Sequence, residues 1–294
     1  MVINRRITGK KMSIKTIDKN KLKFNIIIFI LISIFLISLL APYMAPNDPY
    51  AVDLTKTLQS PSKEFLFGTD SLGRCVFSRV LYGANRTIFS AIIVVLITFL
   101  FGTTVGIISG YIGGKIDRLI MRIVDVFLAF PGLVLAIAVA GLLGGSMINA
   151  MIAISLISWT KYARIARSKV LEIKEETFIQ ASKISGHNAL HIMIKHILPN
   201  ILAYLIVTAS LDIGTVIMEM SSLSFLGLSS PLPTPEWGAM ISEGKSVIQF
   251  APWTLLAPGL AILIVVVLFN LLGDIIRDLL DLKEKERFAS RWKS

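Results

Sequence analysis

The sequence predicts an all-α, polytopic membrane protein with six transmembrane helices and a polar helical loop on the cytoplasmic side. Three observations predict it. Hydrophobic residues make up 54% of the 294 positions and charged residues only 17%, less than a soluble domain of this length carries. The apolar residues are gathered into long blocks rather than spread with amphipathic periods, as membrane spans require. The 30 Lys and Arg residues, finally, fall unevenly between those blocks. With the N-terminus inside, 24 of them lie on the inner segments and 6 on the outer ones, which places both termini in the cytoplasm. The same asymmetry accounts for the net charge of +11 without a nucleic-acid partner. The single cysteine, Cys75, excludes an intramolecular disulfide and any cysteine-based metal cluster.

Residues 1–23 hold eight Lys and Arg against Asp18 alone and read as a mobile cytoplasmic tail. Residues 24–41, FNIIIFILISIFLISLLA, form the first span, which reads as uncleaved, and Pro42, Pro46 and Pro49 end it. Residues 42–86 are polar and turn-rich and lie outside the membrane. A five-helix core occupies 87–273. Its first span covers about 87–110, followed by a tight basic turn through Gly113 and Gly114. The next covers about 119–143, with Pro131 inside it, and the next about 147–163. After a polar excursion the fifth span runs from about 197 to 220. A loop rich in Pro and Trp leads to the sixth, about 255–273, and 274–294 form a cytoplasmic tail.

The excursion, Lys161 to Asn200, is too polar for lipid yet keeps helical spacing. It opens with Lys161, Arg164, Arg167 and Lys169; Gly186 interrupts it and Pro199 closes it. A helix in such a place breaks at glycine for a turn or packing reason. The segment reads as a short helix–turn–helix that meets a soluble partner, against the simpler reading of a surface loop.

Ionisable groups inside spans are costly and therefore informative. Asp125 either lines a pathway or forms a structural pair with Arg122, one turn earlier. Asp212 and Glu219 lie seven residues apart, on one helical face, and suit either a water-filled path or polar packing between helices. The three histidines, His187, His191 and His196, all fall in the excursion. His187 and His191 stand at i, i+4, the spacing of a metal-ligand pair; the competing reading, a solvated docking face, is preferred because no third ligand is arranged nearby. No metal site is assigned. Trp237 and Trp253 sit where an interfacial aromatic belt would place them. There is no phosphate-binding G-x-x-x-x-G-K-[ST] loop, no H-E-x-x-H and no G-x-S-x-G, so no catalytic residue and no cofactor is assigned.

Gln180, Ala181, Ser182, Gly186, Leu198 and Pro199 together resemble the Glu-Ala-Ala…Gly…Leu-Pro signature of the cytoplasmic loop in permeases of bacterial ABC importers, with Gln and Ser standing where Glu and Ala are usual. The resemblance extends through GTDSLGRCVFSRVLYGA (68–84), GYIGGKIDRLIMRIVDVFLAFP (110–131), LSFLGL (223–228), PTPEWGAMISEG (233–244) and FNLLGDIIRDLLD (269–281). These are similar to the dipeptide/oligopeptide/nickel subgroup, and to its C-type permease subunit; Cys75 and Asn85 depart from the usual Asp and Arg.

The resemblance implies that Gln180–His191 forms a coupling helix, with Pro199 behind it, that docks on an ATPase subunit. It implies pairing with a homologous permease as a heterodimer, two ATP-binding subunits below, and an extracytoplasmic solute-binding protein above. The substrate class it implies is peptides, nickel or metal–chelate complexes. Two readings from other classes are an ion-coupled secondary transporter, which the intramembrane acids would serve, and a membrane scaffold that recruits soluble partners.

Overall fold

In a computed structural model of the chain, residues 2–229 and 233–291 are described, with side chains over 20–229 and 233–280. Among the described residues no β-strand forms; one isolated bridge joins Thr69 and Cys75. Helix α1 (Val2–Leu39) carries the first span but begins at Val2, so the backbone of the basic segment expected to be a mobile tail is helical. The side chains of 1–19 lie outside the described residues. Pro42 falls in the first turn of the short helix α2 (Ala41–Met44), which ends this rod.

Helix α3 (Val76–Ile112) is 37 residues long and starts well before the expected boundary at 87. Gly113 and Gly114 both take positive φ and turn the chain into α4 (Gly114–Leu128). The third expected span is not one helix. Helices α4 and α5 (Gly132–Leu143) are bent by 86° about Pro131. The proline ring has no N–H to donate and disfavours helical backbone in Phe130, so α4 stops and Pro131 becomes the residue before α5.

Helix α6 (Met147–Ile173) is long enough to span, but polar residues interrupt its apolar run. Then follow α7 (Thr177–Ile184), α8 (Ala189–Ile192), a π-helical turn (Met193–Ile197) and α9 (Leu198–Phe225). Short α10 (Trp237–Gly244) precedes α11 (Trp253–Arg291), which carries helical backbone through much of the segment expected to be a tail. Four stretches are long and apolar enough to cross a membrane: Asn20–Leu39, Val76–Ile112, Ala189–Phe225 and Trp253–Leu280. The six expected spans thus become four clear ones, one bent pair, and α6.

The centre of the fold is the crossing of α3 and α6. Gly102, Gly106 and Gly110 lie along one stripe of α3. A Cβ at Gly102 would stand 2.2 Å from the carbonyl oxygen of Trp159, and one at Gly106 2.4 Å from that of Ala163. Small residues four apart let two backbones touch, as in other membrane helix pairs. One core cluster fills the space between α3, α5, α6, α9 and α10 around Ala91, Val94, Ile154, Ile217 and Leu223. A second, around Ile107, Tyr162, Ile179, Ile192 and Ile201, seats the polar excursion on the inner ends of α3 and α6. Helix α1 rests on α11 through Ile27, Leu272 and Ile275. Outward faces carry exposed Phe29, Leu96, Leu100, Phe101 and Leu263, as lipid contact demands.

Trp237 and Trp253 do not form a belt. Trp237 is buried and its indole N–H donates to the Val80 carbonyl at 2.9 Å; Trp253 donates to the Thr69 carbonyl at 3.0 Å. Both clamp the 42–86 segment to the bundle, because a buried indole N–H needs an acceptor. Below them, Arg74 and Arg79 are almost wholly buried between Asp70 and Glu243. Arg74 reaches Asp70 and Glu243 at 2.7 Å each, and Arg79 reaches Glu243 at 3.1 Å. Cys75 is buried beside this network. Asn85 donates to the Ser38 carbonyl at 3.5 Å and ties α3 to α1.

Candidate functional site: the polar excursion and the acidic face of α9

The residues singled out by the sequence fall into two places joined by one rod. The first is the turn between α7 and α8. Helix α7 ends in a Schellman motif: Gly186 N–H donates to the Lys183 carbonyl at 3.0 Å and His187 N–H to the Ser182 carbonyl at 3.3 Å. Gly186 has φ +81° and nothing lies within 4 Å of its missing Cβ, so backbone conformation alone selects glycine here. The motif usually carries an apolar contact between its third-last helical residue and the residue after the glycine. Here that place holds a polar one: Ser182 Oγ lies 3.2 Å from His187 Nδ1. Gln180 donates to Glu175 at 2.8 Å, and Ala181 is exposed with its carbonyl accepting from Ser185. The Asn188 side chain caps α8 by accepting from the His191 N–H at 2.8 Å.

The three histidines come together. The rings of His187 and His191 stack 4.3 Å apart with 7° between planes, and His196 lies 5.8 Å from His191. Face-to-face rings pack; they do not converge lone pairs on one ion, and among the described residues no group of three His, Cys, Asp or Glu is placed to hold a metal.

Pro199 occupies the first turn of α9, where its missing N–H costs nothing. The π-helical turn before it keeps α8 and α9 in line, so Ala189–Phe225 is one continuous 37-residue rod. It is about 55 Å long at 1.5 Å per residue.

The second place is the C-terminal half of that rod. Asp212 is 5% exposed and is ion-paired with Lys161 of α6. Glu219, on the same face two turns on, is half-buried and makes no ion pair among the described residues. Asp125 does not pair with Arg122. Its carboxylate meets Arg164 of α6 at 2.5 Å, and eight residues earlier Asp117 meets Arg167 at 2.6 Å and Ser109 at 2.6 Å. Two inter-helix pairs, Asp117–Arg167 and Asp125–Arg164, therefore join α4 to α6. The pairing within α4 loses because α6 presents arginines at 164 and 167, one turn apart, along the polar face of α4. The sequence carried no signal for Asp117–Arg167, for Lys161 as the partner of Asp212, or for the Arg74–Arg79–Glu243 network, since each pair is distant along the chain.

Residues 102–286 match the family described as binding-protein-dependent transport system inner membrane component. A dipeptide transport system permease protein, DppC, of Alkalihalophilus pseudofirmus is 45% identical over 271 residues, 92% of this chain and 89% of that one. A probable D,D-dipeptide transport system permease protein, DdpC, of Escherichia coli is 44% identical over 86% of this chain and 85% of its own. A glutathione transport system permease protein, GsiD, of Pectobacterium atrosepticum is 42% identical over 83% and 82%. Among solved structures, the fold is similar to a chain of the inward-facing MetNI methionine ABC transporter, with a TM-score of 0.58 at 19% identity, covering 69% of this chain and 97% of that one. The chain belongs to the family of inner-membrane permease components of binding-protein-dependent ABC transport systems.

Proposed function

We propose that this permease carries short peptides into the cell as one half of a heterodimeric pathway, with a homologous permease as the other half. One of two ATP-hydrolysing subunits binds at Gln180–His191 on the cytoplasmic side, the other at the partner permease, and an extracytoplasmic binding protein delivers the peptide. The observation that carries this reading is the unbroken rod Ala189–Phe225. It begins at the histidine-bearing turn and ends beyond Glu219, so a displacement of the turn is felt at the acidic face without passing through a loop. Coupling of this kind needs one bistable element that both sites bias, and a rigid rod seated between α3, α6 and α11 supplies it. Relatives named for dipeptide and glutathione transport support peptides over nickel as the cargo. The rod's polar turn also supports the coupled importer over a static scaffold.

The test is a pair of substitutions at Gly186. Proline cannot take φ +81°, so Gly186→Pro breaks the Schellman turn. Asparagine tolerates that region and preserves it. ATP-dependent uptake of a labelled dipeptide should fall at least tenfold in Gly186→Pro and stay within about twofold in Gly186→Asn. A Gly186→Pro chain that co-purifies with its ATPase subunits and takes up peptide at the full rate overturns the coupling role.

A further inference from the structure

One carboxylate on α9 is left without a direct partner. Lys161 pairs directly with Asp212, whereas Glu219 makes neither ion pair nor hydrogen bond among the described residues and meets the Lys161 charge only through space. Thr208, Asp212, Thr215, Glu219 and Ser222 follow one another at alternating spacings of four and three, so they form a single polar stripe along the helix. Thr208 and Ser222 donate their hydroxyl protons back to the carbonyls of Tyr204 and Met218, at 3.0 and 2.7 Å. What these hydroxyls keep for anything beside the helix is oxygen lone pairs. The stripe thus offers acceptors, crowned by a carboxylate, and asks for a cationic donor.

Beyond Glu219, Ser222 of the stripe borders a shallow, open depression of about 370 Å³ lined by Ser221, Ser222, Phe225, Leu226 and Ile241. Apart from the two serines its lining is apolar. Ser222 belongs to both features and stands three residues beyond Glu219, about 4.5 Å along the axis.

We propose that the outer end of α9 is a subsite for the amino-terminal residue of a short peptide, with Glu219 accepting the ammonium group and the Ser221–Phe225–Ile241 depression taking an apolar side chain. This rests on the peptide reading above and names the residues that meet the cargo. An ammonium group answers the acceptor-only stripe, gives Glu219 the direct contact that Lys161 gives Asp212, and is common to every unblocked peptide. The depression adjoins the carboxylate as a side chain adjoins the α-amino group.

The test uses the whole importer in proteoliposomes, with ATP on the cytoplasmic side, and two labelled probes: Leu-Leu and its des-amino analogue 4-methylpentanoyl-leucine. Co-purification of the subunits checks assembly. Glu219→Gln should lower Leu-Leu uptake about tenfold, leave uptake of the analogue within twofold of wild type, and be largely reversed by Glu219→Asp. Ser222→Phe should fill the depression and lower Leu-Leu uptake more than Gly-Gly uptake. Equal loss of both leucine probes in Glu219→Gln, or no loss, overturns the subsite while leaving peptide transport standing. If the wild-type complex moves neither Leu-Leu nor Gly-Gly, the peptide reading fails and the subsite with it. Where Glu219→Gln does not assemble, the Ser222→Phe comparison decides alone: equal depression of the two peptides overturns the subsite.

Discussion

At the scale of single residues, the strongest contrast is between two sets of ion pairs on the extracytoplasmic side. Arg74 and Arg79 expose only 2% and 1% of their surface and make all their ion pairs with Asp70 and Glu243. Lys56 and Glu64 meet at 2.7 Å but both remain in water. Removing one partner of a buried pair strands a charge and costs about 3–5 kcal/mol, whereas an exposed pair contributes about 0–1 kcal/mol. Glu243→Ala should therefore lower the thermal midpoint of the purified protein clearly, with Glu64→Ala close to wild type. Equal midpoints for both would remove Glu243 as the clasp between the extracytoplasmic segment and α10. Little of this was legible beforehand. Arg74 and Glu243 are 169 positions apart, and no local pattern marks either as buried. By contrast Gly186 was legible, because its reason is local: a helix that ends in a left-handed residue.

Elements were read correctly where one length scale decides them and misread where two compete. The apolar blocks for α3, α9 and α11 are long enough that the bilayer dimension alone picks them out. The block from 119 to 143 has the right length too, but Pro131 divides it, and the 86° bend between α4 and α5 follows from proline chemistry that a hydropathy window averages away. The α3–α6 crossing was equally hidden, since Gly102, Gly106 and Gly110 read as three apolar positions until a facing backbone is present. That crossing admits no side chain at its centre. Gly106→Leu would drive a branched group into the Ala163 carbonyl, 2.4 Å from where even a Cβ would sit. Overpacking of this kind costs about 1–3 kcal/mol where neighbours can yield, and more against backbone. Gly106→Leu should leave little folded protein in the membrane fraction, judged by size-exclusion profile in detergent. Gly141→Leu, where nothing lies within 4 Å of the missing Cβ, should be tolerated. A monodisperse Gly106→Leu protein at wild-type yield would mean that α3 and α6 do not touch there.

Over the whole molecule, the coupling reading and the peptide subsite both stand on one topological statement: the α7–α8 turn faces the cytoplasm and the residues before α3 face outward. The support is the distribution of Lys and Arg, 24 inside and 6 outside, which no single helix carries and which emerges only when the spans are set in order. It requires the α4–α5 pair bent at Pro131 to carry the chain across to the outer side and α6 to bring it back. The chain's one cysteine makes this measurable. Cys75 is the N-cap of α3, a position that favours serine, so Cys75→Ser supplies a background without thiols. Single cysteines are then placed at the exposed positions Lys63 and Ser185, at opposite ends of the bundle. A membrane-impermeant maleimide added to intact spheroplasts should label Lys63→Cys and spare Ser185→Cys, and inverted vesicles should give the opposite pattern. Labelling of Ser185→Cys from outside would turn the molecule over. The histidine-bearing turn would then face away from any ATP-hydrolysing partner, and the outer end of α9 would open to the cytoplasm instead of receiving what a binding protein delivers.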